Sequence, residues 1–122
     1  MWWHTENEAR AEIKARAIAK RMYMFGDAGG TCYCDYCGVV PGYEYHEIVS
    51  RARTVADEQV REWSFDERIC SVLCQQCHSR YAPTYGGQRK LLERNIECYG
   101  RATVVKAFYR IPETFRRGIQ LP

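Results

Sequence analysis

Two CxxC pairs, Cys34/Cys37 in CDYC and Cys74/Cys77 in CQQC, are the residues whose type and spacing say most about chemistry. Each pair delivers two thiolates from one tight turn, and two such turns supply the four ligands of a closed tetrahedral zinc site. A closed site braces a fold and does not itself react. A redox dithiol is the rival for either pair alone. It sits at a helix start within a strand–helix–strand unit, a context that residues 32–50 do not offer. Of the seven cysteines, Cys32 is the alternative partner of Cys37, although CxxC spacing favours Cys34. Cys70 and Cys98 read as small buried hydrophobes.

Two histidines stand where the paired knuckles would place them. His78 directly follows Cys77, at the start of an expected helix, and His46 lies in the strand-like run YEYHEIV, residues 43–49. With that strand laid against that helix, both imidazoles would face one divalent ion. Such a site, unlike the thiolate one, keeps positions open for substrate.

The positioning elements follow from periodicity and punctuation. Residues 5–24 read as a helix: Thr5 and Glu8 have capping-box spacing, and Ala11, Ala15, Ile18, Met22 and Phe25 recur at helical steps. Gly26, Gly29 and Gly30 end it. A turn at Pro41-Gly42 leads into the 43–49 run, a short helix is expected over 55–63, and ICSVL, residues 69–73, reads as a second strand. A helix from CQQCHSRYA stops before Pro83, the glycine pair 86–87 punctuates, and one or two helices run on to Pro112. The chain is expected to be a single domain over 1–122, with an N-terminal helix at 5–24, a zinc-braced core at 32–82 and a basic helical extension at 83–122.

The ordered set CDYCG…HEIVSR…LCQQCH resembles the HNH endonuclease family in its version braced by four cysteines, over residues 34–81. The resemblance implies an α+β fold with a small ββα-metal core: two antiparallel strands and a helix around one catalytic ion, here with flanking helices. It implies that Cys34, Cys37, Cys74 and Cys77 hold structural Zn²⁺. His46 and His78 would hold a catalytic divalent metal, Mg²⁺ first, with Mn²⁺, Ni²⁺ or Zn²⁺ as alternatives. Glu47 falls where the family carries its histidine base. A free carboxylate, pKa about 4.3, is a weaker base than imidazole at about 6.5, so Glu47 is expected either to be raised by burial or to serve as an added ligand. The asparagine common in the family is matched by Ile69, and the lysine after the final CH by Tyr81, which follows Arg80.

Charge adds the partner. Residues 1–78 carry nine Lys/Arg against twelve Asp/Glu, whereas 79–122 carry nine against three. The basic end suits a polyanion, and Arg51, Arg53, Arg80, Arg89 and Lys90 are the expected phosphate contacts. The start MWWHTENEAR lacks the apolar run of a leader, and no stretch is long and apolar enough to span a bilayer. An intracellular, cytoplasmic setting with no membrane partner is therefore expected. The resulting reading is a metal-dependent endonuclease hydrolysing DNA, with RNA as the alternative to DNA and a phage or mobile-element setting implied by resemblance. Two readings compete: an inactive zinc-stabilised nucleic-acid-binding module, and a protein-interaction adaptor that dimerises or docks through the N-terminal helix.

Overall fold

In the computed structural model, residues 5–26 and 29–122 are described; the first four residues of the MWWHTENEAR stretch lie outside them. A two-stranded antiparallel sheet organises the chain. Strand β1, Glu44–Glu47, pairs with β2, Cys70–Leu73, in the register Glu44↔Leu73, Tyr45↔Val72, His46↔Ser71 and Glu47↔Cys70. Helix α1, Glu6–Phe25, covers one face of the sheet, and α4, Gln75–Arg80, follows β2 directly on the other. Between the strands run α2, Arg51–Thr54, and α3, Glu58–Ser64; α5, Tyr85–Tyr99, and α6, Arg101–Arg110, complete the chain. The result is an α+β fold. No helix among the described residues is long and apolar enough to cross a membrane.

Side chains alternate across a strand, and here the alternation separates two environments. Cys70 and Val72 pack under Ala9, Ile13, Ala17 and Phe65, while Leu73 joins the larger core of Ile48, Val49, Leu91, Leu92, Val104 and Phe108. By the same alternation Tyr45 and Glu47 turn toward α1, and Glu44 and His46 turn toward α4. All four residues of β2 are buried, which explains why ICSVL is apolar but for Ser71.

Helix α1 has the expected cap, Thr5 Oγ1 accepting from the Glu8 N–H at 3.1 Å, but a different buried face. The stripe is Ala9, Ile13, Ala17 and Arg21; Ala11, Ala15 and Met22 are exposed. Position 21 misleads any pattern that scores arginine as polar. Its guanidinium is 2% exposed, pairs with Asp35 at 2.8 Å, and donates to Asn95 Oδ1 at 2.5 Å and the Cys70 carbonyl at 3.3 Å. Asp35 also accepts from the Val72 N–H at 2.8 Å, so this network ties α1, the first knuckle, β2 and α5 together. Removing one partner of a buried ion pair strands the other charge, at a cost of about 3–5 kcal/mol. Arg21→Met is expected to lose that much in urea denaturation, and Asp35→Asn in the same chain to recover part of it. Additive losses would show that the pair is not coupled.

The glycines at 86–87 lie inside α5 and do not break the chain there. Thr84 caps this helix by accepting from Gly87 N at 2.9 Å, and a Cβ on Gly87 would lie 1.9 Å from the Tyr81 carbonyl oxygen. The glycine is there for close approach. The break between α5 and α6 falls instead at Gly100, whose φ of 87° favours glycine.

Candidate metal centre and candidate active site

The sulfurs of Cys34, Cys37, Cys74 and Cys77 all lie within 4.8 Å of one another. Local structure explains how. The Cys34 N–H donates to the Val40 carbonyl at 2.8 Å, Gly38 N–H donates to the Cys34 carbonyl at 2.9 Å, and Gly38 takes the left-handed φ of 68° that closes the knuckle. Asp35 N–H donates to the Val72 carbonyl at 3.0 Å, fixing this turn against β2. Cys74 directly follows β2 and caps α4, its sulfur accepting from the Cys77 N–H at 3.5 Å, so the second pair sits at a strand-to-helix junction.

Desolvation raises the thiols of Cys34 and Cys77. At Cys37 desolvation acts the same way, but the backbone N–H groups of Val39 and Val40 and the neighbouring thiols outweigh it and bring the group to about 7. Four soft donors, one already poised as thiolate, fit a structural metal such as zinc. Cys32 stays outside the cluster, half-buried; Cys70 and Cys98 are buried, as small hydrophobes would be.

Next to this cluster β1 and α4 bring the two histidines together. The rings of His46 and His78 meet edge-on, 5.2 Å between centroids. His78 Nδ1 donates to Glu44 Oε1 at 2.7 Å. A carboxylate on one ring nitrogen sets the tautomer and leaves the other nitrogen its lone pair, the usual support of a metal-binding histidine. His46 is half-buried, and its Nε2 is shut from solvent with no hydrogen-bond partner among the described residues. Burial, with His78 beside it, lowers His46 to about 4. The ring is therefore neutral at physiological pH, the form that ligates metals.

Glu47 is engaged by guanidinium groups on the α1 side of β1. Pointing toward α1, away from the His46 ring, it receives both terminal nitrogens of Arg61, with Arg10 Nε 3.7 Å from Oε1. Each carboxylate oxygen accepts from the Arg61 guanidinium and keeps a second lone pair, and Glu47 borders the same cleft as His46 and His78. Glu6 also binds Arg61 and lies 3.5 Å from Arg51 Nε, continuing the network to the cleft edge.

The expected phosphate contacts are dispersed. Arg51 joins Arg10, His46, Glu47, Ser50 and His78 around a cleft of about 280 Å³. Arg53 borders a second hollow beside the histidines, but its guanidinium also holds the C-terminal segment, donating to the Arg117 carbonyl at 2.7 Å. Arg80 and Arg89 are exposed, and Lys90 sits over the Tyr36 ring, 4.1 Å from its centroid, beside the first knuckle. Two residues at the site were not singled out by sequence. Glu44 could have been found from its i, i+2 spacing to His46. Arg10 offered no signal, because only the packing of α1 brings it here. No protein-family model, curated protein or solved structure matches this chain.

Proposed function

We propose that the chain is a metal-dependent nuclease hydrolysing DNA phosphodiester bonds, built on an HNH-like ββα-metal core and leaving a 5′-phosphate. The observation that carries this reading is the His46–His78 pair, brought edge to face by β1 and α4 and oriented by Glu44, beside a cysteine cluster suited to zinc. His46 and His78 would hold a divalent cation such as Mg²⁺ or Mn²⁺. When bound, that cation supplies Lewis-acid stabilisation of phosphate charge and a more acidic water.

The remaining groups bind and orient. Arg10 and Arg51, on two different elements at the cleft, are positioned to receive phosphate oxygens. Glu47 and Glu6 hold the guanidinium groups in place through Arg61 and the neighbouring pairs. In this reading Glu47 anchors the cations and is not the base. An adaptor acting through α1 has less support, since the helix spends its apolar stripe inside the chain; Tyr23 and Met24 remain exposed at its end.

The test is cleavage of supercoiled plasmid by zinc-loaded protein across Mg²⁺, Mn²⁺, Ni²⁺ and Zn²⁺. Cation-dependent nicking or linearisation with 5′-phosphate ends is expected. Salt-sensitive DNA binding with no cutting under any cation, on duplex or single-stranded substrate, would replace this reading with the binding module.

A further inference from the structure

The hollow on the α5 side of the histidine pair, about 330 Å³, is bordered by His46, Ser50, His78 and Gln88. Gln88 comes from the first turns of α5, outside the segment that carries the knuckles and histidines, and is only 6% exposed. Its Oε1 is buried and has no hydrogen-bond partner among the described residues. The same holds for His46 Nε2 and for Ser71 Oγ, which stands directly opposite His46 across the two strands. One such atom costs about 1–3 kcal/mol when left unpaired, and buried polar atoms are ordinarily satisfied. His46 and Gln88 border the same hollow, so their two unpaired atoms mark it as a place built for a polar occupant.

We infer that Gln88 belongs to the cation site of the proposed nuclease, its side-chain oxygen serving a hard divalent cation directly or through a cation-bound water. The inference rests on the histidine reading and extends it to a third element, α5. An amide oxygen is a hard donor suited to Mg²⁺ or Mn²⁺. Two imidazoles and an amide form a neutral donor set, which leaves the cation's full charge to act on a phosphate. Glu44, the nearby carboxylate, is committed to His78 Nδ1 and does not offset that charge directly.

Mn²⁺ alone, titrated calorimetrically into zinc-loaded protein, tests the assignment without relying on cleavage. Gln88→Leu is expected to weaken Mn²⁺ binding about 10–100-fold with zinc content unchanged. Gln88→Glu, which puts a charged oxygen at the same place, is expected to tighten it about tenfold. The second variant keeps the test decisive should Gln88→Leu fold poorly. Wild-type affinity in both Gln88 variants, with binding lost in His78→Ala, would remove Gln88 and leave the histidine site standing. Wild-type affinity in His78→Ala as well would remove the histidine site and this inference with it.

Discussion

One zinc ion per chain is expected to co-purify, and Cys77→Ser is expected to unfold the protein. Cys34, Cys74 and Cys77 are part of the main core, packed with Ile48, Leu73 and Leu91, so the knuckles are not peripheral to folding. A structural zinc site contributes roughly 10–16 kcal/mol of apparent binding free energy. A domain of this size has only about 5–15 kcal/mol of net stability. Losing one thiolate of four therefore threatens the whole fold and not one turn of it. The sign with pH follows from competition between protons and metal for sulfur. As pH falls, thiolates are protonated and the cation is released more readily, so a chelator should melt the protein at lower concentration at pH 6 than at pH 8. Metal analysis and chelator titrations followed by circular dichroism would check both. Cys32→Ser is the control, expected to keep its zinc and its melting temperature, because Cys32 lies outside the cluster. A Cys77→Ser protein that melts like wild type with a full zinc complement would refute the structural role.

The contrast between Cys34 and Arg21 shows what could be read from the chain. CxxC spacing reports a local geometry, two sulfurs from one turn, and the structure assembles the four expected cysteines. The strands were legible for a similar reason: each is a short apolar or alternating run bounded by turns, and both appear within two residues of expectation. The buried stripe of α1 was not legible, because it ends on an arginine whose partners Asp35 and Asn95 lie 14 and 74 residues away. Gly87 fails for a different reason: its close approach to the Tyr81 carbonyl is set by the turn between α4 and α5, which the glycine pair alone does not announce. At the candidate site, His46 and His78 could be named because the knuckles frame them. The pairing of Glu47 with Arg61 depended on which face of β1 it occupies and on the packing of α3, and neither is a local property.

The placement of Glu47 separates two variants that the sequence alone would group together. His78→Ala is expected to abolish plasmid cleavage while leaving the fold intact, since the ring is partly exposed and contributes chiefly its contacts with Glu44 and His46. Losing a ligand that holds a Lewis acid against phosphate removes several kcal/mol of transition-state stabilisation, at least about a hundredfold in rate. Glu44→Gln keeps an acceptor for Nδ1 but not the charge, and should cost about tenfold. Glu47→Gln should behave in the opposite way to His78→Ala. It takes the charge from a buried carboxylate paired with Arg61, so it lowers the melting temperature through a loss of about 3–5 kcal/mol. Below that melting temperature it cuts within a few-fold of wild type. Measured together, cleavage rate and melting temperature place each residue on one axis or the other. A folded Glu47→Gln protein that no longer cuts would return Glu47 to the chemistry and require its pair with Arg61 to open when substrate binds.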